Sequence, residues 1–214
     1  KHGKLMVSEN ARFLRHAEGT PFCWLGDTGW LLFQRMTREE ALMYVANRQS
    51  KGFNVIQCIL LQSFADRNAY GDEAFVDHDL TRMCITPGND PERPEDYDYW
   101  DHVDYILDAA ADHHMYLAIV PIWGQLVKRG NFTEKAAEQY AAQIAQRFRN
   151  RPNIIWVNGG STQGDMRAEI WETLGATIKT HDPNHLMTFH PFGRTQSSTW
   201  FTNSAWLDVH MFTS

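Results

Sequence analysis

Residues 154–165 read IIWVNGGSTQGD, a short apolar run that ends in an asparagine, two glycines and a serine. This pattern is typical of a buried strand that delivers a catalytic side chain at its carboxyl end. The residue delivered here is Ser161. Either the serine performs the chemistry, or the chemistry expected at this position is missing.

Other polar and aromatic residues lie within apolar runs or just beyond their ends. They are Asp27, Trp30, Gln57, Trp123, Asn158, His190, Arg194 and His210. Their polar side chains can hydrogen-bond a polar ligand. If the runs are parallel strands, their carboxyl ends share one face, and we expect these side chains to meet there.

The elements that would position these residues alternate along the chain. Predicted strands one to six cover residues 22–26, 54–61, 116–120, 154–157, 186–189 and 207–211, and predicted helices cover residues 37–52, 97–114, 133–148 and 165–181. Continuously apolar strands that alternate with helices predict parallel pairing through right-handed crossovers. No G-x-G-x-x-G follows the first strand, which favours a barrel over a doubly wound sheet.

The sequence therefore predicts an α/β fold, a (β/α)8 TIM-type barrel that is incomplete in this chain. Residues 1–214 form one domain, with a β-hairpin over about residues 1–20 and barrel strands one to six over residues 21–214. Residues 62–94 are polar, contain Pro and Gly, and are too long for an ordinary connection, so we expect a functional loop over one face of the barrel.

Composition argues against several classes of partner. The net charge is −6 with no basic run, which disfavours nucleic acid, and no apolar run approaches the ~20 residues that span a bilayer. The three cysteines lack C-x-x-C spacing, and we expect Cys23 and Cys58 to be core residues. The ten histidines are scattered, so we predict no metal and no cofactor.

Several ordered segments resemble one family. The segments are VSENARFLRHAEGTPFCWLGDTGW, KGFNVIQ, VPIWG, NFT, RPNIIWVNGG, DPNHLMTFHPFGRTQSS and WLDVHMF. Together they resemble the apiosidase-like glycoside hydrolases, carbohydrate-active family 140. The resemblance implies a barrel that hydrolyses glycosidic bonds in plant cell-wall polysaccharide side chains by a retaining mechanism. Such an enzyme uses an acid/base carboxylate after strand four and a nucleophile after strand seven.

The chain departs from the family pattern in two ways. The strand-four motif of the family is similar to G-G-D, and Ser161 occupies the aspartate position. A serine hydroxyl does not replace a carboxylic acid as a proton donor near neutral pH. Asp165 is expected to place charge at a helix N-terminus rather than to substitute for the acid. The resemblance also expects two further strand–helix units, so we expect a missing C-terminal segment or a second chain to complete the barrel.

The resemblance implies substrate contacts for several residues, each with a structural alternative. Asp27 is expected to bind sugar hydroxyls, or else to form a turn or a helix cap. Trp30 and Trp123 are expected to stack on a sugar ring, or to pack in the core. Gln57 is expected to bind substrate, and Asn158 to hydrogen-bond substrate or the catalytic carboxylates.

Three residues near the end of the chain complete the candidate site. His190 and Arg194 are expected to contact ring hydroxyls or tune a carboxylate, with a structural loop role as the alternative for His190. His210 is expected to face the lumen from predicted strand six.

Three functions compete. The first is a glycoside hydrolase domain that is nearly inactive in this form, and the second is a carbohydrate-binding pseudoenzyme. The third is a metal-dependent hydrolase that uses His190 and His210. The ligand is expected to be an oligosaccharide or polysaccharide, and the family suggests a bacterial periplasmic or secreted location.

Overall fold

The computed structural model describes residues 3–130 and 132–214. The chain opens with a small antiparallel sheet of three strands, β1 (Leu5–Val7), β2 (Leu14–His16) and β3 (Pro21–Phe22). Apolar side chains from this sheet, Leu5 among them, pack against the lumen side of the parallel sheet that follows. The sheet therefore covers part of the barrel interior.

The centre of the molecule is a five-stranded parallel sheet whose strand order follows the sequence. Its strands are β4 (Gly26–Thr28), β5 (Val55–Ile59), β6 (Tyr116–Val120), β7 (Ile154–Thr162) and β8 (Met187–Pro191). Sequential parallel strands with helical crossovers are the wall of a TIM-type barrel, as predicted. The wall is open, and β4 and β8 are its two edges.

Helices cover the outer side of the sheet. They are α1 (Leu32–Arg35), α2 (Arg38–Ser50), α3 (Tyr99–Asp112), α4 (Gly124–Lys128), α5 (Glu134–Phe148), α6 (Ala168–His181) and α7 (Ser198–Phe201). The Thr37 side chain accepts a hydrogen bond from the Glu40 N–H, and the Glu40 carboxylate accepts one from the Thr37 N–H. This capping box fixes the start of α2 where the sequence predicts it. No helix among residues 3–130 and 132–214 is long and apolar enough to cross a membrane.

Side chains on the two faces of the sheet form two apolar clusters. One cluster lies between the sheet and the helices, and its largest side chains are those of Trp100, Trp156, Trp171 and Trp206. Lumen-facing residues, such as Val55 and Ile59, pack against the N-terminal sheet. Because both faces are covered, the strands read as continuous apolar runs.

The predicted N-terminal hairpin is confirmed by the antiparallel pair β1 and β2, and β3 adds a third strand to it. The first two residues of the predicted hairpin lie outside the described residues. The predicted bounds of barrel strand one are wrong. Barrel strand one is Gly26–Thr28, because Pro21–Phe22 belongs to the N-terminal sheet. Cys23 is exposed there, whereas Cys58 is buried as predicted.

Residues 207–211 do not form the predicted sixth strand. The backbone N–H groups of Asp208 and Val209 both donate to the Met187 carbonyl. This segment therefore contacts the edge of β8 but forms no regular ladder of backbone hydrogen bonds with it. The chain then forms β10 (Phe212–Thr213), which pairs antiparallel with β9 (Thr195–Gln196).

Candidate active site

Ser161 lies on a bulge at the carboxyl end of β7. Gly159 pairs with His190 and Thr162 pairs with Pro191, so Gly160 and Ser161 are extra residues on the β7 side. The φ angles of Gly159, Gly160 and Ser161 are 92°, 113° and 51°. Such a bulge re-aims a side chain at a strand end, and it leaves Ser161 exposed.

The bulge lies beside three aromatic rings. The Trp30 ring centroid is 5.4 Å from that of Trp123 and 5.8 Å from that of His190, and Trp123 is 6.1 Å from His190. A Cβ on Gly160 would lie 2.7 Å from the Trp123 ring, so the glycine allows this indole to reach the tip of β7. The sequence prediction that Trp30, Trp123 and His190 lie together agrees with this geometry.

His190 is tied directly to Ser161. The Ser161 backbone N–H donates to His190 Nδ1 at 2.9 Å. Because Nδ1 accepts this hydrogen bond, the neutral ring carries its proton on Nε2. Burial lowers the pKa of His190 below its ordinary value, although backbone hydrogen bonds oppose the shift. The imidazole is therefore a neutral Nε2–H donor at neutral pH.

Gln57 contributes a second donor to the lumen. Gln57 lies two residues from Val55 and two residues from Ile59 along β5, and both of these belong to the lumen cluster. Side chains two residues apart in a strand share a face, so Gln57 faces the lumen as well. Its Nε2 atom is buried and has no hydrogen-bond partner among the described residues. A buried, unpaired amide donor is costly, and a ligand oxygen or another acceptor would satisfy it.

The sequence predicts that Asp27 contacts a sugar, but its carboxylate pairs with α2 instead. Its carboxylate accepts hydrogen bonds from Arg48 Nη1 at 2.8 Å and from the Tyr44 hydroxyl at 3.0 Å, both on α2. Burial raises the pKa of Asp27, but the hydrogen bonds from Arg48, Thr28 and Tyr44 together lower it by more. The resulting pKa is therefore below the ordinary value for an aspartate. The carboxylate anchors the helix layer to β4.

Asn158 also faces the helices rather than a ligand. It is fully buried, and its Nδ2 donates to the Trp171 carbonyl on α6 at 2.9 Å. Its Oδ1 accepts a hydrogen bond from the Gly159 N–H. Asn158 therefore positions the bulge from behind and does not contact a substrate directly.

Arg194 and His210 are exposed and belong to the chain's last segments. Arg194 precedes β9, and its N–H donates to the Thr213 carbonyl. His210 lines a separate apolar cavity beside β8, with Leu14, Trp24 and Val209. Across the described ranges no group of three or more His, Cys, Asp or Glu side chains could hold a metal ion, so a site built on His190 and His210 lacks a ligand set there.

Polar residues of the long loop also lie near Trp123, although the sequence does not predict them as site residues. Asp66 accepts a hydrogen bond from the Gln62 N–H at 2.6 Å and lines a cavity that Trp123 also lines. The only signal in the sequence is the position of this stretch directly after a buried strand, where loops carry binding residues.

Comparison with known proteins decides the family. A family model described as the apiosidase-like catalytic domain matches residues 8–214. The chain belongs to this family. Among curated proteins none matches the sequence.

Solved structures agree with a glycoside hydrolase-like barrel. One described as a glycoside hydrolase is 44% identical with a TM-score of 0.87, and the match covers 99% of this chain. A glycoside hydrolase family 5 structure from Bacteroides vulgatus is 43% identical with a TM-score of 0.92 and the same coverage of this chain. The endo-1,4-β-mannanase from Rhizomucor miehei shares the fold at 15% identity, with a TM-score of 0.62 over 87% of this chain and 60% of its own.

The chain spans less than half the length of the two most similar of these structures. It covers 46% of the first and 44% of the Bacteroides vulgatus protein. The glycoside hydrolase-like fold is thus shared over the whole of this chain but over only part of those relatives.

Proposed function

We propose that this chain forms part of a glycoside hydrolase-type site that binds a saccharide but hydrolyses it very slowly. The observation that carries the proposal is the position of Ser161, at the tip of the β7 bulge beside Trp30, Trp123 and His190. Indole faces complement the apolar face of a sugar. The amide donor of Gln57, which has no partner among the described residues, and the imidazole of His190 suit the oxygen atoms of a sugar.

The proposed mechanism of an active relative is retaining, with a carboxylic acid at the position of Ser161. That acid protonates the departing glycosidic oxygen and later deprotonates the attacking water. Serine does not lose its proton near neutral pH, and the imidazolium form of His190 is disfavoured by burial. Neither group therefore supplies the proton that the leaving alkoxide needs.

The backbone at this position accepts an aspartate. Ser161 has a φ of 51°, in the left-handed region that Asn and Asp enter more readily than most other residues. A substitution to aspartate therefore changes the chemistry without demanding a new backbone conformation.

We infer the wider setting from the family. The substrate would be a side chain of a plant cell-wall polysaccharide, and the location would be the periplasm or exterior of a bacterium. A C-terminal segment or a second chain would complete the open wall between β4 and β8 and supply the nucleophile. Nucleic acid and membranes are not partners in this proposal.

The test is the substitution Ser161→Asp in the full-length protein, with Ser161→Asn as the matched uncharged control. Hydrolysis of a panel of aryl glycosides is measured beside saccharide binding by calorimetry. We expect Ser161→Asp to raise kcat/KM by about 100-fold or more, because general acid catalysis contributes 10²–10⁴-fold, and Ser161→Asn to change it little. Rapid turnover by the unsubstituted protein would overturn the proposal.

The second candidate is a carbohydrate-binding pseudoenzyme. It is favoured by the same aromatic group, which can bind sugar without any acid. Saccharide binding with no hydrolysis even in Ser161→Asp would support this candidate and would show that more than one catalytic group is absent.

A further inference from the structure

A cavity of about 410 Å³ lies at the amino ends of β5, β6 and β7, whereas Ser161 lies at a carboxyl end. It is enclosed by the N-terminal sheet at Phe22, by the end of α3 at Ala111, and by the turns before β6 and β7 at Met115 and Asn153. We call it the lower cavity. Its volume is that of a small-molecule site, for which the range is about 300–1,000 Å³.

Aromatic rings form one wall of the lower cavity. The Phe22 ring centroid is 5.3 Å from that of Tyr116, with the two planes at 75°, and 5.4 Å from that of His16, with the planes at 87°. The Tyr116 hydroxyl donates to the Gly3 carbonyl at 2.6 Å, which holds the phenol ring in place. Rings that meet at near right angles form a corner, in which an ammonium group can lie against a ring face.

The end of α3 gives the lower cavity a negative potential. Ala111 lines the cavity from the last turn of this helix, which reads AAAD over residues 109–112. A helix C-terminus carries partial negative charge, and Asp112 adds a carboxylate where a cation is the favourable neighbour. Among the described residues no Lys or Arg lines the cavity. This wall therefore attracts a cation.

Two further groups act in the same direction. Asn153 Nδ2 donates to the carbonyls of Leu107 and Met115 at 3.0 and 3.1 Å, so the orientation of the amide is fixed. Its Oδ1 is a buried acceptor without a partner among the described residues, and a positive charge nearby would offset that cost. Burial, and then the negative charge of Glu18, raise the pKa of Tyr116 to about 12. The aromatic wall thus lies within the field of a carboxylate.

The lining distinguishes between ligand classes. An anion would lie at a helix C-terminus with no Lys or Arg from the described residues to pair with it. A metal ion would need several ligand side chains, and the described residues contain no such group. An organic ammonium ion satisfies both parts of the lining, because its alkyl groups contact Phe22, Met115 and Pro152 while its charge lies near the rings and the helix end.

We propose that the lower cavity binds a small organic cation, an ammonium group on a short aliphatic stem. The cavity shares no residue with the group formed by Ser161, Trp30, Trp123 and His190. The inference therefore does not rest on the proposed function.

The experiment compares choline with 3,3-dimethylbutan-1-ol, a neutral molecule of the same shape. Both are titrated into the protein at pH 8, where imidazole is neutral, and binding is followed by calorimetry and by backbone amide spectra. Phe22→Leu removes the ring but keeps an apolar side chain, and Phe22→Tyr keeps a ring. Phe13→Leu is the matched control, because Phe13 is an exposed aromatic residue next to β2 that does not line the cavity.

We expect choline to bind about fivefold or more tightly than the neutral analogue, as a desolvated cation–π contact provides. Phe22→Leu should lose about threefold to tenfold of the choline affinity and little of the affinity for the analogue. Phe22→Tyr and Phe13→Leu should retain the choline affinity. Cys23 lines the cavity and is exposed, so bound choline should also slow its alkylation by iodoacetamide, measured by peptide mass.

Equal affinity for choline and 3,3-dimethylbutan-1-ol would overturn the proposal, because the cavity would then select for apolar shape and not for charge. An unchanged choline affinity in Phe22→Leu, or no choline binding at tens of millimolar, would overturn it as well. None of these outcomes bears on the proposed function, which depends on residues at the other end of the sheet.

Discussion

At the scale of single residues, the hydrogen bond between Ser161 and His190 determines the chemistry of the candidate site. A histidine that accepts from a backbone N–H and is partly buried is held neutral, and its Nε2–H becomes a fixed donor. The Nε2–H can therefore orient a ligand oxygen, and the imidazolium form that could act as a general acid is disfavoured near neutral pH.

This assignment predicts a specific pH dependence. The pKa of His190 in the folded protein is below its ordinary value of 6.5, so the unfolded chain binds a proton first as the pH falls. The stability that the neutral ring contributes is fully present above pH 6.5 and is lost as the pH falls from there toward the folded-state pKa.

The test compares the protein with His190→Asn, whose Oδ1 can still accept from the Ser161 N–H but cannot titrate. Between pH 7 and pH 5 we expect the free energy of unfolding of the unsubstituted protein to fall by more than that of His190→Asn. Nitrogen-15 spectra should show the Nε2–H tautomer at pH 7. A proton on Nδ1 at that pH would contradict the assignment.

Residue positions were predictable from the sequence, but the face that each side chain occupies was not. Asp27 and Asn158 lie at the ends of predicted strands, yet both point to the helices, whereas Gln57 points to the lumen. In a strand buried on both faces, apolar residues occupy odd and even positions alike. The alternation that would reveal the lumen side is therefore absent from the sequence.

At the scale of elements, the packing of α6 depends on a glycine that helix propensity alone disfavours. A Cβ on Gly175 would lie 2.4 Å from the Trp206 ring, so the indole packs directly on the helix backbone. The Trp206 Nε1–H donates to the Glu172 carboxylate at 2.8 Å, which fixes the ring in that position.

We predict that Gly175→Ala destabilises the protein although alanine favours helix. The gain in helix propensity is about 1 kcal/mol, but displacing a buried indole costs roughly 1–3 kcal/mol. Ala176→Gly, at the next and exposed position, is the matched control, and we expect it to cost about 1 kcal/mol by propensity alone. Chemical denaturation measures both, and a more stable Gly175→Ala would show that Trp206 moves aside freely.

The elements that the sequence predicted best are those with a single local cause. Strand β6 is an uninterrupted apolar run, β5 is apolar except for Gln57, and α2 begins at a capping box. The run at residues 22–26 was misassigned because its residues are shared between the N-terminal sheet and β4. The segment at residues 207–211 was misassigned because its backbone contacts with β8 are too few for a ladder, which apolar composition does not show.

At the scale of the whole molecule, the open wall is the dominant physical feature. The lumen cluster includes Val120 and Val157, and an apolar cavity of about 260 Å³ lies beside β8, between Trp24 and Met211. Strands β4 and β8 are the sheet edges, and an uncovered edge next to apolar surface is a template for association.

The 214-residue polypeptide on its own is therefore expected to bind a hydrophobic dye and to self-associate as its concentration rises. Sedimentation velocity and dye fluorescence measure the two effects. The reference, in which we expect both to be weaker, is the same chain together with the C-terminal segment or second chain proposed to complete the wall. Val209 lines the apolar cavity beside β8, and its backbone N–H donates to the Met187 carbonyl at the edge of that strand. Val209→Lys should reduce association, because an inward-facing charge at a sheet edge opposes pairing. A monodisperse monomer that binds no dye would show instead that the five strands and the N-terminal sheet close the core without further chain.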